Sequence, residues 1–385
     1  MKLIKNYLFI VLLLINTILM SGCWNYREVD RLSIVSGAAI DKGENKKYLI
    51  TVETIELKAG GEDTQTNSKI VGAEGETIFD AVRDIITLTG KRLYWGHAKV
   101  VVASEEIARE GIVPIADWFV RDAETRAEIK VLISKTRTAR EILDKHALTQ
   151  EVVSLELADM LKNQRSISKA PDYDIWELIN VLSGYGNAVI LPTIDLEING
   201  TALTQHIHGS AVFKKDRLID FSESEETKYI LFVLNKIEGG ILPQRIYMDN
   251  EYTDISLEIL NNKTKVTPEY ADGKIKIKVN VKTEVTIAEL GSTVNFMEKK
   301  GKATLVKEAE KTLKKDIEDV IKRAQKEYEC DIFGFGNKIH KNMPTLWKSI
   351  EGNWEDIFKQ LDVEVYTEIN ATSSALMSKP LKVGG

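Results

Sequence analysis

Two histidines have the spacing of a metal-binding pair. His206 and His208 are separated by one residue, so on a β-strand both imidazoles would lie on the same face and could share a metal ion. A structural zinc ion takes four ligands, and no third ligand stands near this pair in the sequence. We therefore favour two solvated or hydrogen-bonded histidines over a metal site, and we predict no metal and no cofactor.

The other candidates for catalysis are isolated in the sequence. His97 precedes a predicted buried strand, and no nucleophile or carboxylate pair is placed beside it, so a structural hydrogen bond is its favoured role. Gly184-Tyr185-Gly186 and Gly334-Phe335-Gly336 lack the further glycine and the strand-turn-helix setting of a phosphate loop. No Gly-x-Ser-x-Gly sequence marks an acyl-transfer nucleophile. The sequence thus predicts a binding or scaffold protein and not an enzyme.

Cys23 is the one residue with a defined chemical role. A basic start precedes an apolar run from Tyr7 to Leu19, which is shorter than the ~20 residues of a relaxed membrane span. The following Leu19-Met20-Ser21-Gly22-Cys23 resembles the lipobox of bacterial lipoproteins, with Met20 where leucine is usual. The resemblance implies that residues 1–22 are a signal peptide that is removed, and that Cys23 becomes an N-palmitoyl, S-diacylglycerol cysteine. The alternative is an ordinary signal peptide or an uncleaved anchor with a chance cysteine.

Composition agrees with a tethered body outside the membrane. Removal of the leader, which carries two lysines, changes the formal net charge from −6 to −8. A mildly acidic chain with mixed charges argues against nucleic acid as the main partner, and it offers no electrostatic adhesion to anionic lipid. Cys330 is then the only cysteine besides Cys23, so no disulfide framework is possible and Cys330 is expected to be a small buried apolar residue.

The first half of the mature chain predicts an N-terminal α+β domain over residues 23–195. Two strands are expected at Arg31–Asp41 and Lys47–Leu57, followed by an exposed mobile loop from Lys58 to Ser68. A helix is expected at Thr77–Leu88, with Gly90 as its stop. Its buried face would carry Ile78, Phe79, Val82, Ile85 and Ile86.

The second half predicts a C-terminal α+β domain over residues 196–372 and a loose tail over 373–385. Ser222 and Glu225 form a possible capping box. Antiparallel strands are expected at Tyr252–Leu260, Lys263–Glu269 and Lys274–Ala288, with turns at Asn261-Asn262 and Asp272-Gly273. A long amphipathic helix is expected at about Leu305–Glu329. The predicted fold class is therefore α+β, multi-domain, with mixed or antiparallel sheets packed with helices.

Several short motifs together resemble the Ger(x)C family of spore-germination lipoproteins, in order along nearly the whole mature chain. They are Cys23-Trp24-Asn25-Tyr26-Arg27-Glu28, Ile40-Asp41-Lys42-Gly43, Leu93-Tyr94-Trp95-Gly96-His97, Gly111-Ile112, Trp118-Phe119-Val120-Arg121-Asp122, Arg126, Gly209-Ser210-Ala211-Val212-Phe213, Lys215-Asp216, Leu218, Asp331-Ile332-Phe333-Gly334-Phe335-Gly336, Ile339-His340-Lys341, Pro344, Trp347 and Trp354. Two departures concern only a turn and the tail: Asp220 replaces a usual glycine, and the closing strand lacks a basic-plus-glycine ending.

The resemblance implies a function. Members are the lipoprotein subunit of nutrient germinant receptors on the outer face of the spore inner membrane, without known catalytic activity, beside two integral membrane subunits, one of them transporter-like. Trp24, Tyr26 and the Lys58–Ser68 loop are expected contact regions. Whether this subunit touches the nutrient stays open. The alternatives are a solute-binding lipoprotein of a transporter and a surface-anchored hydrolase, for which no nucleophile is assembled.

Overall fold

The computed structural model describes residues 2–19, 31–58, 65–186, 188–248, 251–290 and 299–372. The N-terminal segment forms helix α1, Lys2–Leu19, which contains the predicted apolar run. Across the described residues, no helix combines the length and the apolarity that crossing a membrane requires. Cys23, Trp24, Tyr26 and the tail from residue 373 lie outside the described ranges.

Within the described residues, nine strands form the first sheet, in the order β3-β2-β1-β5-β6-β7-β8-β9 with β4 beside β1. The strands are β1 Leu32–Lys42, β2 Tyr48–Lys58, β3 Gln65–Gly75, β4 Arg92–Tyr94, β5 Val100–Ser104, β6 Lys130–Ser134, β7 Ala188–Asn199, β8 Ala202–Lys214 and β9 Arg217–Ser222. The central strands β1, β5, β6 and β7 run parallel, and the outer pairs are antiparallel. The sheet is therefore mixed, as predicted.

Helices cover both faces of this sheet. They are α2 Ile78–Thr89, α3 Glu105–Glu110, α4 Val113–Arg121, α5 Arg140–Leu143, α6 Val153–Lys162, α7 Gln164–Ile167 and α8 Ile175–Leu182. On β5, Val101 faces the cluster that includes α2, α4 and α8, whereas Val100 and Val102 face the cluster that includes α5 and α6. Because both faces of the sheet are buried, the parallel strands are continuous apolar runs in the sequence.

The second sheet has the order β10-β11-β12-β13. Its strands are β10 Ile241–Met248, β11 Glu251–Ala271, β12 Lys274–Leu290 and β13 Asp362–Thr372. The predicted turn at Asp272-Gly273 is confirmed, with φ of 53° and 74°. The predicted turn at Asn261-Asn262 is wrong: both residues lie inside β11, where the register shifts between Ile259 and Asn261. The strand accommodates the two asparagines, which resemble a turn in the sequence, next to a β-bulge.

Helices α9 Ser224–Val233, α10 Lys299–Arg323, α11 Phe335–Asn342, α12 Pro344–Ile350 and α13 Trp354–Lys359 accompany the second sheet. The predicted long helix is confirmed as α10, continued by a π-helical turn over Ala324–Tyr328. The predicted capping box is not formed, because α9 is preceded by Glu223 at its N-cap and the Ser222 hydroxyl donates to Glu226 (3.2 Å).

Two predicted boundaries differ from the strands. The expected loop from Lys58 to Ser68 is partly wrong, since β2 includes Lys58 and β3 begins at Gln65; residues 59–64 lie outside the described ranges. The predicted boundary between residues 195 and 196 falls within β7, and the first sheet continues through β8 and β9 to Ser222. The division into two domains stays a prediction.

Candidate functional site

Two buried acids of the first sheet accept hydrogen bonds from the N-termini of helices. The Asp41 carboxylate accepts hydrogen bonds from the N–H groups of Ala139 (2.6 Å) and Arg140 (3.0 Å), at the start of α5. The Glu53 carboxylate accepts from two N–H groups at the start of α6 (2.9 and 2.8 Å) and from the Ser36 hydroxyl (3.2 Å). Burial raises the pKa of Asp41, while the N–H donors oppose the rise. Both carboxylates satisfy helix N-termini, and this explains their burial without catalysis.

A third buried acid organises the C-terminal motif. The Asp331 carboxylate accepts from Phe335 N (3.0 Å), Gly336 N (2.7 Å) and the Trp354 indole N–H (3.3 Å). Burial raises the pKa of Asp331, and these hydrogen bonds act in the opposite direction. A Cβ at Gly336 would lie 2.8 Å from Trp354 Nε1, so the indole can reach the carboxylate only over a glycine. The spacing of Asp331, Gly336 and Trp354 in the C-terminal motif is thus explained by packing around the Asp331 carboxylate.

Two further motifs meet each other at the first sheet. The Ile112 N–H donates to the Asp216 carbonyl (2.8 Å), which joins the start of α4 to the turn between β8 and β9. Gly111 has a φ of 143°, and a Cβ there would lie 2.7 Å from Asp216 Oδ2. These segments are separated by about a hundred residues in the sequence, so their pairing could not be read from it.

An aromatic cluster supports the surface between α2 and α4. The Trp95 and Trp118 ring centroids are 4.8 Å apart, and Trp118 and Phe119 are 4.6 Å apart, both edge to face. All three rings are buried. Such edge-to-face pairs stabilise the fold beyond their buried area. The cluster therefore forms a rigid base under the adjoining cleft.

That cleft, which we call the α2–α4 cleft, has a volume of about 900 Å³. It is lined by residues of α2, α4 and the segments beside them, including Tyr48, Phe79, Arg83, Trp118 and Arg121. The expectation that Phe79 is buried is wrong: its side chain is 47% exposed and lies at the cleft with the Arg83 guanidinium 4.7 Å from its ring centre. Phe79 is thus an apolar ring available to a partner.

The polar groups of the α2–α4 cleft are mostly satisfied within the protein. Arg121 pairs with Asp117 (2.7 Å), and Arg92 pairs with Glu124 (2.9 Å). Trp118 is only 8% exposed, yet its indole Nε1 has no hydrogen-bond partner among the described residues. A buried N–H donor without an acceptor is uncommon in folded proteins. The cleft can therefore offer the apolar Phe79 ring, whereas the Trp118 indole N–H is buried out of a partner's reach.

The structure places His206 and His208 together with two acids. Both histidines lie on β8 with stacked rings 4.5 Å apart. His208 Nε2 is 3.1 Å from Asp195 Oδ2, and His206 Nδ1 is 2.9 Å from Glu197 Oε2, both acids being on β7. The His208–Asp195 contact is a hydrogen bond, as the sequence-based interpretation expected of these histidines. The expectation that no third ligand is near is wrong, because the β7–β8 register sets Asp195 opposite His206.

The other candidate residues take structural positions. The exposed His97 ring lies edge-on to Tyr94, 5.9 Å between centres. Cys330 is buried as predicted, and burial raises the pKa of its thiol to about 12. A thiol held in this state is a poor nucleophile at neutral pH. Cys23, the predicted lipid attachment site, lies outside the described residues.

Fold and site together define an α+β protein with a cleft between α2 and α4 and a histidine cluster, in which Asp41, Glu53 and Asp331 hold helix N-termini. The chain belongs to the GerAC-like family of spore germination proteins: the family described as spore germination protein N-terminal domain matches residues 25–196, and the one described as spore germination B3/GerAC like, C-terminal, matches residues 208–374. The predicted resemblance is confirmed.

Individual relatives agree over the full length. The chain is 24% identical to spore germination protein KC of Bacillus subtilis (strain 168), covering 98% of each chain. It is 26% identical to spore germination protein B3 of the same organism, covering 89% of this chain and 91% of the relative. The fold resembles the crystal structure of the GerBC protein, with a TM-score of 0.56 at 20% identity over 87% of this chain and 96% of that one.

Proposed function

We propose that this chain is the lipid-anchored, non-catalytic subunit of a receptor that starts spore germination in response to nutrients. The observation that carries the proposal is the two-part family match, because residues 25–196 and 208–374 account for nearly all of the chain after Cys23. The subunit would stand on the outer face of the spore inner membrane. It would act there beside two integral membrane subunits, one of them transporter-like.

Anchoring is assigned to Cys23 on its sequence setting. The lipobox-like residues place this cysteine directly after the apolar leader. Two acyl chains hold a protein at a membrane far more firmly than one, at ~0.8 kcal/mol per buried methylene. Tethering raises the concentration of the subunit at the membrane surface, which favours docking onto the integral subunits. The segment with Trp24 and Tyr26 stays a predicted contact region.

The α2–α4 cleft is the surface through which we propose that a receptor subunit is bound. Phe79 would be covered by an apolar side chain of that subunit. The Phe79 ring is half exposed, and it lines the cleft together with the buried Trp118.

Anchoring and assembly are tested together. A Cys23→Ala variant should move from the spore membrane to the soluble fraction, and nutrient-triggered germination should fall. The tagged wild-type chain, purified from detergent-solubilised spore membranes, should bring with it two integral membrane proteins identified by mass spectrometry. Normal retention and germination in Cys23→Ala would contradict the anchor. Purification with a transport ATPase and permease would instead indicate solute capture.

The cleft is tested separately with a matched pair of variants. Phe79 and Leu88 are both exposed apolar residues of α2, at 47% and 63%, but only Phe79 lines the cleft. Phe79→Asp should reduce the amount of receptor subunits that are purified with the chain, whereas Leu88→Asp should not. Equal thermal unfolding midpoints would show that both variants fold. Equal yields of the partner subunits from the two variants would exclude the cleft as the contact.

A further inference from the structure

The outer part of the β7–β8 hairpin is paired only with itself among the described strands. β6 pairs with β7 at Thr193 and Ile194, and β9 pairs with β8 from Ser210 onward. Residues 195–209 of the hairpin therefore extend past both neighbours. One face of this extension carries the two histidines and the two acids described above. A metal ion bound on this face would add a link between the two paired strands of the hairpin.

We propose that Asp195, His206 and His208 form a binding site for one divalent transition-metal ion, Zn²⁺ in the first instance. One ligand atom from each of the three side chains lies within 4.8 Å of the others. Two imidazoles and one carboxylate are a donor set that suits zinc and its neighbours in the first transition row. Calcium and magnesium prefer oxygen ligands throughout, so they are not the expected occupants.

The distances fit ligands that converge on one ion. His208 Nε2 and Asp195 Oδ2 are 3.1 Å apart. Ligands of a tetrahedral zinc ion with bonds of about 2.0–2.1 Å are roughly 3.3 Å apart, so this pair is close to the required separation. Both side chains are partly sheltered, at 17% and 32% exposure, which leaves an approach from solvent for the ion.

Glu197 takes the position of an orienting group. Its Oε2 is 2.9 Å from His206 Nδ1, and this contact leaves the Nε2 atom of that ring for the metal. Metal-binding histidines commonly donate their other ring N–H to a carboxylate, which fixes the tautomer and the ring orientation. Three protein ligands leave a fourth position for water or for a donor from a partner. The ion would join β7, which supplies Asp195, to β8, which supplies both histidines.

The test is metal binding by the full chain in detergent, purified with a tag that contains no histidine and then stripped with a chelator. Titration with Zn²⁺ against a chromophoric competitor should give about one ion per chain. Bound Co²⁺ should give the visible absorption of a tetrahedral site. His208→Ala and Asp195→Asn should each lose most of this binding, and Glu197→Gln should weaken it about 10- to 100-fold.

The matched control is His146→Ala, since His146 is also exposed and lies outside the cluster. It should bind Zn²⁺ as the wild type does. Metal-free wild type and variants should unfold at the same temperature. Zn²⁺ should raise the midpoint of the wild type and of His146→Ala, but not that of His208→Ala or Asp195→Asn. No binding by the wild type, or equal binding by wild type, His208→Ala and Asp195→Asn, would overturn the proposal.

Discussion

Replacement of Asp331 by alanine should destabilise the C-terminal region strongly. The substitution removes the acceptor of two backbone N–H groups at the start of α11 and of the Trp354 indole N–H. Loss of a helix-capping acceptor costs about 1 kcal/mol, and a buried donor left without a partner costs at least ~1 kcal/mol. The three lost contacts amount to about 3 kcal/mol. Removal of a buried charge offsets part of this loss, so we expect a decrease in the free energy of unfolding of about 2–3 kcal/mol.

The assay is urea unfolding followed by tryptophan fluorescence, because the Trp354 indole contacts the altered side chain. With an m-value of about 2–3 kcal/mol per molar urea, the unfolding midpoint should fall by about 1 M. Asp331→Asn keeps one acceptor oxygen and should lose roughly half as much stability as Asp331→Ala.

Asp356→Ala is the control for Asp331→Ala. Asp356 is 81% exposed and pairs only at the surface with Lys359 (3.4 Å), so its removal should change the free energy of unfolding by less than ~0.5 kcal/mol. Equal midpoints for Asp331→Ala and Asp356→Ala would refute the view that the motif is organised around the Asp331 carboxylate.

Three further predictions concern single groups. Burial raises the folded-state pKa of Asp331 above its ordinary value of 3.8, so the stability that this group contributes is present below pH 3.8 and falls as the pH rises through the folded-state pKa. In urea titrations, the stability advantage of the wild type over Asp331→Asn should therefore shrink from acidic to neutral pH. A difference that stays constant with pH would contradict the raised pKa. Cys330, with its pKa near 12, should react with a thiol reagent at pH 8 only on unfolding, and rapid labelling of Cys330 itself in the native chain, located by peptide mass spectrometry, would disprove its burial. Gly273→Ala should cost about 1 kcal/mol because φ is 74° there, whereas Gly352→Ala, with open space and no positive φ, should be neutral; equal unfolding midpoints would count against the turn.

Features that depend on neighbouring residues could be predicted well. Helix α2 begins after Thr77, whose side chain accepts from Asp80 N, and ends at Gly90 with φ of 66°. The spacing of these residues is visible in the sequence because caps and stops act within one turn. Strand β12 alternates between buried and less buried residues and helix α10 has an apolar stripe; both elements were predicted, because burial of one face leaves a periodic pattern in the sequence.

Features that depend on pairing between distant segments could not be predicted. Asn261-Asn262 has the composition of a turn, but the long pairing of β11 with β12 continues through it. Phe79 has helical spacing with buried residues, yet its exposure depends on how α4 is placed against α2. The local preference of a residue for a turn, strand or helix contributes less free energy than its tertiary contacts, so the tertiary contacts determine the structure where the two disagree.

The sequence by itself determined the α+β fold class, the long helix, the family and the lipobox-like setting of Cys23, because these depend on periodicity and short motifs. The tertiary structure alone decided which side chains meet: the three donors on Asp331, the cleft beside Phe79, and Asp195 next to the histidine pair. Asp195 is placed by the register of a hairpin, and register is determined by the whole buried face and not by the residues nearest in sequence.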